Sequence, residues 1–481
     1  MQKDTPRSSE RKARIRDLSD RLAPDRSRWW RRAAFFHEED IRYLRFLVPE
    51  GAKVLELGCA TGALLAALRP GIGTGIDFSS RMISEARALY PNLEFSVADI
   101  EDPEWLSKVS GTFDYVIIAD TVGSLDDCQA TFELLHTVCD RHTRLIIAYY
   151  SYFWDPLLRL AERLGLKMPT EEQNVLSTDD ISGLLTLADF EVVKRDWRQL
   201  VPVRLFGIGS LTNRFIATLP VVRRFCLRHY VVARSRRRAD DNLRSASVVI
   251  PCRNERGNVE AAIQRLPRFC EDIEVIFVEG HSQDGTLEEV YRVRDAFPEW
   301  NIKVLQQDGV GKANAVFKAF DLARGDVLMI LDADLTVPPE QLDKFWRAMA
   351  SGKAEYLQGT RLVYPMANKA MRFLNLLANW VFSVLFTWLL NQRLTDTLCG
   401  TKVLRRSDYL RLKENRGDFG YFDPFGDFDL IFGATKLNLK IIEIPIRYAS
   451  RTYGETQISR FRHGWLLLRM VVFAFRKLKA F

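Results

Sequence analysis

The stretch KVLELGCATG at residues 53–62 places two glycines directly after a short apolar run. The apolar run is typical of a buried strand, and glycine lets the following backbone turn tightly and approach a ligand closely. A helix that begins at such a turn directs its N-terminal N–H groups toward the bound molecule. The stretch therefore predicts a strand, a turn and a helix that bind a nucleotide-like ligand through Glu56, Gly58 and Gly62.

Apolar runs of strand length alternate with helical segments over most of the chain, which predicts an α/β fold. The first set is KVLELG, GTGID, LEFSVAD, FDYVIIAD and RLIIAYY, and the second is SASVVIPC, DIEVIFVEG, IKVLQQ and DVLMILDAD. The glycines and acids are placed differently in the two sets, so we predict two domains with different chemistries. The predicted boundaries are a basic N-terminal segment at 1–34, a first domain at 35–200, an Arg-rich connector at 201–244, a second domain at 245–460 and a basic amphipathic helix at 461–481.

The composition excludes several other classes of protein. The chain has 481 residues, enough for two to four domains at roughly 100–200 residues each, and 47% of them are hydrophobic. These values rule out a disordered, collagen-like or coiled-coil protein. The cysteines are dispersed without a CxxC pair, which argues against a disulfide framework or a structural zinc site and favours a reducing cytosol. The N-terminus is rich in Arg, Asp and Glu, which is not the pattern of a secretory signal.

Acidic residues accompany the strands that come after the glycine turn. Asp77 ends GTGID, where a carboxylate can accept both hydroxyls of a ribose, and Asp99 follows LEFSVA, where it can hold the edge of an adenine. Asp114 opens FDYVIIAD. This series resembles the class I S-adenosylmethionine-dependent methyltransferases over about residues 35–200, which implies a Rossmann-like domain that binds S-adenosylmethionine. Ala60 departs from the family, because many members have a second glycine there.

Two questions about the first domain stay open at this point. A nicotinamide-binding domain is the competing interpretation, although its G-x-G-x-x-G motif is absent from this turn. Methyl transfer depends mainly on positioning, and a base is needed only if the acceptor is a neutral hydroxyl or amine. The candidates for the cofactor face are His37, Asp120, Asp126 and Asp127, and none is assigned a catalytic role.

The second half contains Asp332-Ala333-Asp334 at the end of the apolar run VLMIL. Two carboxylates one residue apart can hold a divalent ion that bridges a diphosphate. Other motifs surround this pair in the order VVIPCRNE (248–255), VEGHSQDGT (278–286), GVGKANAVFKAF (309–320), GTR (359–361), TDTLCGTKVLRR (395–406), FGDFDL (425–430) and RTYGETQIS (451–459). Together they resemble the family 2 glycosyltransferases of the GT-A fold over about residues 245–460. The similarity is greatest to the branch of dolichyl-phosphate mannosyltransferase, which charges a polyprenyl phosphate.

This resemblance implies a nucleotide-sugar site. Asp332 and Asp334 are expected to hold Mg²⁺ or Mn²⁺ on the diphosphate, with Asp334 also catalytic. Pro251, Arg253 and Glu255 are expected to line the nucleotide pocket. Glu279 and Asp284 are expected to flank the base and the ribose.

The resemblance also implies an acceptor site built from arginines. Arg361, Arg372 and Arg451 match positions where the branch places arginines on the acceptor phosphate, and Arg361 and Arg451 are expected to be catalytic. Thr456-Gln457 replaces the usual Ser-Lys, so one expected cation is missing, and Arg460 is its candidate substitute. A phosphate monoester is already ionised near neutral pH, so its site needs cations more than a base, and arginine binds phosphate bidentately. A hydroxyl acceptor with Asp427 as the base is the alternative.

Positive charge is concentrated in three segments of a chain whose net charge is +7. Residues 1–32 are rich in Lys and Arg, residues 223–238 carry seven Arg and no acid, and residues 456–481 are also free of acids. The last segment sets Arg462, Arg469 and Arg476 on one helical face among large apolar residues. Such segments attract phosphates, and a solvated surface is the alternative for residues 1–32. In the other two segments the interleaved apolar residues favour lipid over nucleic acid.

The only stretch long enough for a spanning helix is Phe373 to Gln392, which lacks charges. Its polar residues recur every four positions and form one stripe, which predicts an amphipathic helix: Asn375, Asn379, Ser383, Thr387 and Asn391. We therefore predict two amphipathic helices and a cytoplasmic protein held peripherally on the inner face of the cell membrane. The alternative is a pair of core helices in a soluble domain.

These patterns together predict a bifunctional enzyme that methylates one acceptor and transfers a sugar from a nucleotide sugar, with inversion, to a lipid phosphate. One alternative is a transferase for a hydroxyl acceptor with a catalytically silent methyltransferase-like domain. A sugar-nucleotide pyrophosphorylase would want a Gly-rich basic loop where this chain has PCRNERGN. A nucleic-acid methyltransferase would want a D/N-P-P-Y type motif, so no nucleic-acid partner is predicted.

Overall fold

The computed structural model describes residues 9–239, 242–364, 373–414, 428–451, 453 and 460–481, with side chains except at 373–377 and 460–463. The chain divides into two compact units, Met1–Ala239 and Asp240–Phe481. Each unit is built on its own seven-stranded sheet with helices around it, which confirms the α/β class predicted for both halves.

The first unit begins with three helices and continues as alternating strands and helices. In chain order these are α1 (Glu10–Leu22), α2 (Arg26–Arg32), α3 (Ala34–Leu47), β1 (Lys53–Leu57), α4 (Ala63–Ala67), β2 (Ile72–Asp77), α5 (Ser80–Leu89), β3 (Glu94–Val97), β4 (Tyr115–Ala119), α6 (Cys128–Leu134), β5 (Arg144–Tyr150), α7 (Asp155–Arg163), α8 (Thr178–Leu187), β6 (Phe190–Arg198), α9 (Ile208–Leu211) and β7 (Arg228–Ser235). Single helical turns lie at Ala23–Asp25, Pro103–Lys108, Val122–Ser124, Leu135–Val138, Tyr152–Trp154, Leu205–Gly207, Thr212–Ile216 and Val222–Phe225.

The strand order of the first sheet is β3-β2-β1-β4-β5-β7-β6. The first five strands are parallel, and β7 runs antiparallel to both β5 and β6. The carboxyl ends of β1, β2 and β4 therefore meet at one edge of the sheet, where open α/β sheets bind their ligands. Fully buried Leu55, Ile76, Val116 and Val231 belong to the core of this unit.

The predicted connector at 201–244 is corrected by the position of β7, which lies inside the first sheet. Its sequence RHYVVARS does not look like a buried strand, but the structure buries Arg228, His229 and Arg234. Arg228 and Arg234 pair with acids elsewhere in the unit, so their charges are compensated. Within the arginine run at 223–238, Arg228 and Arg234 are for this reason internal, whereas Arg224, Arg236, Arg237 and Arg238 remain exposed.

The described part of the basic N-terminal segment expected at 1–34, residues 9–34, also packs onto the rest of the first unit. Asp20 in α1 accepts a hydrogen bond from Ser79 Oγ at 2.5 Å, at the start of α5. Arg11 donates to Asp126 Oδ1 at 3.0 Å and to the carbonyl of Gly123 at 2.7 Å. Part of the basic charge of this segment is thus used to hold α1 in place.

The second unit has a similar alternation followed by a helical C-terminal part. Its elements are β8 (Ser245–Cys252), α10 (Val259–Gln264), β9 (Asp272–Glu279), α11 (Thr286–Ala296), β10 (Asn301–Gln306), α12 (Lys312–Leu322), β11 (Val327–Ile330), α13 (Leu342–Ala350), β12 (Tyr356–Thr360), α14 (Phe373–Leu390), β13 (Lys402–Arg405), α15 (Arg406–Glu414), α16 (Phe428–Lys436), β14 (Ile441–Pro445) and α17 (Arg460–Leu478). Single turns lie at Arg256–Asn258 and Pro339–Gln341.

The second sheet has the order β10-β9-β8-β11-β13-β12-β14. The strands β10, β9, β8 and β11 are parallel, whereas β13 is antiparallel to both β11 and β12. Asp326 joins the starts of β8 and β11, because its Oδ2 accepts hydrogen bonds from the backbone N–H groups of Arg244 and Ser245. The residues after β8, β9 and β11 meet at the opposite edge, where the predicted nucleotide-sugar motifs lie.

The helix α14 turns its polar stripe toward the protein. Asn379 is buried and accepts hydrogen bonds from the backbone and side chain of Thr397, while Thr387 exchanges hydrogen bonds with the backbone of Leu394. Trp380, Val381 and Val384 lie exposed on the other side. The predicted amphipathic character is present, with the apolar side outward.

The helix α17 packs against α14, with 5.5 Å between the ring centroids of Trp388 and Phe475. Leu467, Met470 and Ala474 of α17 are buried. Its outer side exposes Trp465, Leu468 and Val472 together with Arg469 and Arg476. In the part of the chain that the structure describes, no helix combines the length and apolar character needed to cross a bilayer.

Candidate active sites

Gly58 follows β1 in a left-handed conformation, with φ +78°. A Cβ at this position would lie 2.0 Å from Thr121 Oγ1, so only glycine fits between the turn and the residue after β4. Ala60, the predicted departure from the family pattern, also has a positive φ of 46°. The turn therefore keeps its shape with alanine at a position that favours glycine.

Asp77 stands at the end of β2 with both carboxylate oxygens already engaged. Oδ2 accepts from the backbone N–H of Ala60 at 2.8 Å, and Oδ1 accepts from that of Ser79 at 2.9 Å. Each oxygen has a second lone pair for a ligand hydroxyl. The side chain is buried, and burial raises its pKa, an effect that these two hydrogen bonds oppose.

Asp99, the predicted adenine acid, is paired with a lysine from α1. Lys12 Nζ lies 2.6 Å from Asp99 Oδ2 and 2.5 Å from Glu101 Oε2. Asp99 Oδ1 also accepts from the backbone N–H of Glu101 at 3.0 Å, which fixes the carboxylate. Sequence reasoning missed Lys12, because its partners are nearly ninety positions away in the chain.

A cavity of about 190 Å³ lies at this edge of the first sheet. Gly58, Asp77 and Asp99 line it together with Lys12 and Arg26 from the N-terminal helices. The apolar part of its wall includes Phe78, Ile100 and Met168. The cavity thus combines the acids predicted for a ribose and an adenine with an apolar wall that a planar base requires.

Glu56 and Gly62 stand in the predicted strand and turn but are not among the residues that line this cavity. Glu56 is buried in β1 beneath the turn, and burial raises the pKa of its carboxyl to about 8. Gly62 has φ +73° at the start of α4, and a Cβ there would lie 2.5 Å from the ring of Phe95. Both residues support the turn from within the fold.

Asp120, directly after β4, is held by a buried ion-pair network. Arg228 pairs with Asp120 and with Asp40, whose Oδ1 lies 3.0 Å from Arg228 Nε. Tyr230 donates a further hydrogen bond to Asp40. The backbone of Asp120 is left-handed, with φ 62°, and the pKa of Asp120 is raised because burial outweighs the nearby Arg228.

The other candidates for the cofactor face serve structural contacts. Asp126 pairs with Arg11, Asp127 caps the N-terminus of α6, and His37 stacks on Trp30 with 3.6 Å between ring centroids. Burial lowers the pKa of His37 to about 3, so its ring is neutral at physiological pH.

A second cavity, of about 520 Å³, adjoins the first and shares Asp120 with it. Tyr149, Tyr150 and Tyr152 line one part, and the charged side chains around the rest are Asp155, Arg159, Glu162, Lys167, Glu171 and Glu172. Asp120 therefore stands between a cavity with the features of a nucleoside site and a larger polar cavity.

In the second unit, Asp332 follows β11 and pairs with Lys312 at the start of α12. Gly400 covers this pair closely, because a Cβ there would lie 2.0 Å from Asp332 Oδ2 and 2.6 Å from Lys312 Nζ. Burial alone would raise the pKa of Asp332, but Lys312, Lys402 and Arg361 hold it below its usual value. Lys312 belongs to the quoted GVGKANA motif, and its pairing with Asp332 was not predicted.

Asp334 is linked to the predicted acceptor residue Arg451. Arg451 NH2 lies 2.6 Å from Asp334 Oδ2, and NH1 lies 3.5 Å from Glu255 Oε1. Two positions later, the hydroxyl of Tyr453 donates to Asp284 Oδ2 at 3.2 Å. Arg451 and Tyr453 therefore connect the loops after β8, β9 and β11.

The remaining predicted nucleotide-sugar residues lie around these loops. Glu279 ends β9 and accepts a hydrogen bond from the backbone N–H of Ser282 at 2.5 Å. Pro251 lies in β8 beside Val278, and Arg253 is exposed just after that strand. The structure thus brings Glu255, Asp284, Asp332, Asp334 and Arg451 to one edge of the second sheet.

Arg361 is strongly tied to Asp396, a residue that the sequence analysis did not assign. Arg361 Nε and NH2 donate to the two oxygens of Asp396 at 2.6 and 2.8 Å, and its backbone N–H donates at 3.0 Å. The Arg361 pKa is raised, because this ion pair outweighs burial. Arg372, Asp427, Thr456 and Gln457 lie outside the described residues, as does the side chain of Arg460.

Both implied groups fit the residues that are present. Asp332 and Asp334 form a two-carboxylate donor set of the kind that Mg²⁺ completes with substrate phosphates. The described ranges contain no group of three His, Cys, Asp or Glu that would hold a metal without a substrate. For S-adenosylmethionine, the close approach of Gly58 to Thr121 and the acids Asp77 and Asp99 form a suitable cradle.

Two family models match the chain. Residues 49–191 match a methyltransferase domain, and residues 247–412 match glycosyl transferase family 2. Both are transferase families. With the two sheet orders, these matches identify a methyltransferase fold in the first unit and a GT-A-like fold in the second.

Among characterised proteins, the low-salt glycan biosynthesis hexosyltransferase Agl6 of Haloferax volcanii is 28% identical over 233 residues, 47% of this chain and 52% of that protein. The undecaprenyl-phosphate mannosyltransferase of Micrococcus luteus is 28% identical over 226 residues, 44% of this chain and 86% of that protein. The chain thus spans about half the length of the Haloferax protein. Among solved structures, glucosyl-3-phosphoglycerate synthase from Mycobacterium tuberculosis is 16% identical, with a TM-score of 0.37 over 49% of this chain and 80% of that one.

Proposed function

We propose that this chain, which joins a methyltransferase domain to a family 2 glycosyl transferase domain, catalyses two group transfers at a membrane surface. The second unit transfers a sugar from a nucleotide sugar to a polyprenyl phosphate. The first unit transfers a methyl group from S-adenosylmethionine to an acceptor in the same glycolipid or cell-surface glycan. Support comes from the two matched families and from relatives whose names specify undecaprenyl phosphate and glycan biosynthesis.

The sugar-transfer proposal rests on the charges at the edge of the second sheet. In this reaction an oxygen of the acceptor phosphate attacks the anomeric carbon from the face opposite the leaving group, and the bond to the nucleoside diphosphate breaks. Lys312 and Arg451 supply positive charge beside Asp332 and Asp334, where the diphosphate leaves. Asp332 and Asp334 would hold Mg²⁺ or Mn²⁺, which neutralises the charge on a leaving diphosphate.

A phosphate acceptor suits this site, because it needs no general base. Its oxygen is already ionised near neutral pH, so cations can position it without removing a proton. Arg361 is held rigidly by Asp396, and within the described residues its NH1 has no hydrogen-bond partner. We assign this remaining N–H group, with Arg372 and Arg451, to the acceptor phosphate.

For methyl transfer, Asp77 and Asp99 hold the ribose and the adenine of S-adenosylmethionine, which supplies an electrophilic methyl group. Asp120 stands between the two cavities and orients the acceptor in the larger one. Its raised pKa suits a group that takes the proton of an acceptor hydroxyl as the new bond to carbon forms. Arg228 keeps the Asp120 carboxylate in place.

The membrane proposal rests on the outward sides of α14 and α17. These helices expose Trp380, Val384, Trp465 and Val472, while Asn379, Leu467 and Met470 are buried on their other sides. Exposed apolar side chains with Arg469 and Arg476 beside them are typical of a helix that lies in the lipid interface. We propose that this side binds the inner face of the cell membrane and delivers the lipid phosphate.

The observation that carries the proposed function is the convergence of Asp332, Asp334, Lys312 and Arg451 at one sheet edge. The test incubates the purified chain with a panel of radiolabelled GDP- and UDP-sugars, Mg²⁺ or Mn²⁺, and undecaprenyl phosphate in detergent. Label should pass into the organic phase only with metal and lipid phosphate present. If sugar is transferred only to a water-soluble hydroxyl acceptor, the acceptor is that hydroxyl and not a lipid phosphate. If S-adenosylmethionine does not bind at millimolar concentration, the first unit is a catalytically silent module.

A further inference from the structure

The first unit carries an extensive exposed apolar surface between β6 and β7, which we call surface 203–225. Ten large apolar side chains in this segment are more than two-fifths exposed. They are Val203, Leu205, Phe206, Ile208, Leu211, Phe215, Ile216, Leu219, Val221 and Phe225. Single exposed apolar residues are ordinary, but ten within one short segment indicate an interaction site.

The charge of surface 203–225 has one sign. The segment contains Arg204, Arg214, Arg223 and Arg224 and neither Asp nor Glu. Arg214 and Arg224 are exposed among the apolar side chains, whereas Arg204 pairs with Glu38. A surface that combines large apolar groups with excess positive charge is complementary to a bilayer that contains anionic lipids.

The backbone presents the apolar side chains outward. Leu205 and Phe206 both have positive φ, 40° and 52°, and Phe206 is completely exposed at 107%. Two successive left-handed residues other than glycine are unusual and costly. The fold thus places Phe206 in full contact with solvent. Burial of this side chain inside the first unit therefore cannot be the reason for its unusual backbone.

The surface is adjacent to the larger cavity that we assign to the methyl acceptor. Trp154 Nε1 donates to the carbonyl of Phe225 at 2.9 Å, which ties the turn before α7 to surface 203–225. The cavity is lined by Tyr152, Asp155 and Leu158 from the same turn and helix. The outer side of α7 continues the apolar character with exposed Leu157, Leu160 and Leu164.

We propose that surface 203–225 binds an anionic lipid bilayer, so that the first unit has a membrane contact of its own and takes its methyl acceptor from the lipid phase. The inference about the acceptor rests on the proposed methyl transfer. The lipid contact rests only on the exposed residues, their charge and their backbone. The connection through Trp154 and Phe225 places the cavity close to the lipid surface, which suits an acceptor carried on a lipid.

The test places a fluorescent probe on the surface of the full-length chain. Cys270 is the one partly exposed cysteine among seven and is replaced by serine, and Phe206→Cys is then labelled with an environment-sensitive nitrobenzoxadiazole. Vesicles of phosphatidylcholine and phosphatidylglycerol should shift the emission to the blue and raise its intensity several-fold. Vesicles of phosphatidylcholine alone should give a weaker change, because the arginines then lack anionic partners.

A matched probe at Leu89→Cys, an exposed leucine in α5, should not respond to vesicles. No change at position 206 with anionic vesicles would overturn the proposal. A blue shift that grows with protein concentration without vesicles would also overturn it, because a second copy of the chain would then cover the surface. The probe reads lipid contact without any catalytic step, so failure of the methyl-transfer proposal remains distinguishable from failure of this one.

Replacement of Phe206, Leu211 and Phe225 by aspartate provides a second measurement. These side chains are exposed, so the variant should fold like the wild type and bind S-adenosylmethionine unchanged. Its partition into anionic vesicles should fall by at least about tenfold, because apolar burial is lost and negative charge is added. An unchanged partition would contradict the proposal.

Discussion

Arg451 NH2 lies 2.6 Å from Asp334 Oδ2, although the two residues are 117 positions apart. The pair brings Arg451 to the strand end that carries both predicted metal-binding acids. Asp332 has its own cation in Lys312, so each carboxylate is balanced by one positive charge. The edge of the second sheet is therefore prepared to exchange ionic partners when a charged substrate binds.

The first prediction concerns Asp334. Asp334→Asn keeps the size of the side chain and removes its charge, so nucleotide-sugar turnover should fall by at least ~100-fold, as for other losses of electrostatic stabilisation. Binding of S-adenosylmethionine, measured by calorimetry, should be unaffected. Asp308→Asn, at a largely exposed aspartate paired with Lys318, is the matched control and should retain activity. Full transfer by Asp334→Asn, or by the wild type in EDTA, would contradict the metal assignment.

The second prediction separates close contact from backbone strain at Gly58. Gly58→Ala places a methyl group 2.0 Å from Thr121 Oγ1 and should abolish S-adenosylmethionine binding. Gly51→Ala is its control, because Gly51 has a similar φ of +84° but nothing within 4 Å of the added Cβ. That variant should lose only about 1–2 kcal/mol of stability and keep its affinity. Equal loss of affinity in both variants would mean that strain alone is responsible.

Much of the fold could be predicted, because its buried strands are continuous apolar runs. All nine quoted runs coincide with strands within a few residues, β5 and β8 without any difference. The strands β6, β7, β12, β13 and β14 lie outside the quoted runs. The strand β7 was missed because a buried arginine is recognisable only through its partner, and Asp40 lies 188 positions before Arg228. The same reason hid Lys12 beside Asp99 and Lys312 beside Asp332.

The candidate sites were predicted where a motif fixes the position of a backbone atom relative to a strand end. Gly58, Asp77, Asp332 and Asp334 are of this kind. The orientation of α14 could not be predicted, because a polar stripe can face either the solvent or polar partners inside the protein. The buried Asn379 next to Thr397 shows which side faces the protein.

The third prediction concerns the buried charge network of the first unit. Arg228→Met leaves Asp40 and Asp120 without their shared cation and should lower the free energy of unfolding by about 3–5 kcal/mol. Urea unfolding followed by circular dichroism measures the effect. Addition of Asp40→Asn and Asp120→Asn should recover part of the loss, because uncompensated charges are then absent. Arg195→Met, which removes an exposed pair with Asp179, should change stability little.

The fourth prediction concerns the pH dependence of stability through Glu56. Burial raises the pKa of Glu56 to about 8 in the folded protein, whereas in the unfolded chain it is about 4.3. Between these values the folded state binds more protons than the unfolded state, so stability falls as pH rises. In Glu56→Gln, the unfolding temperature should fall less steeply than in the wild type between about pH 5 and about pH 9. Glu94→Gln, at an exposed position in β3, is the control and should show the same slope of stability against pH as the wild type. If Glu56→Gln also keeps that slope, the raised pKa of Glu56 is not its cause.

The last prediction concerns the outer side of α17. Deletion of residues 462–481 would also remove buried Leu467, Met470 and Ala474, so it would mix loss of lipid contact with loss of packing. The sharper variant is Trp465→Glu with Leu468→Glu, because both side chains are exposed while the packed side stays intact. Co-sedimentation with anionic vesicles should weaken severalfold, since apolar burial is lost and the attraction of Arg469 and Arg476, roughly 1 kcal/mol per basic residue, is offset. High salt should weaken wild-type binding only in part, because the apolar contribution is not screened.

Transfer of sugar to undecaprenyl phosphate in vesicles should fall in the α17 variant, while hydrolysis of the nucleotide sugar persists. Leu410→Glu, at an exposed leucine of α15, is the matched control and should bind vesicles like the wild type. If the α17 variant sediments and glycosylates lipid as well as the wild type, α17 does not face the membrane.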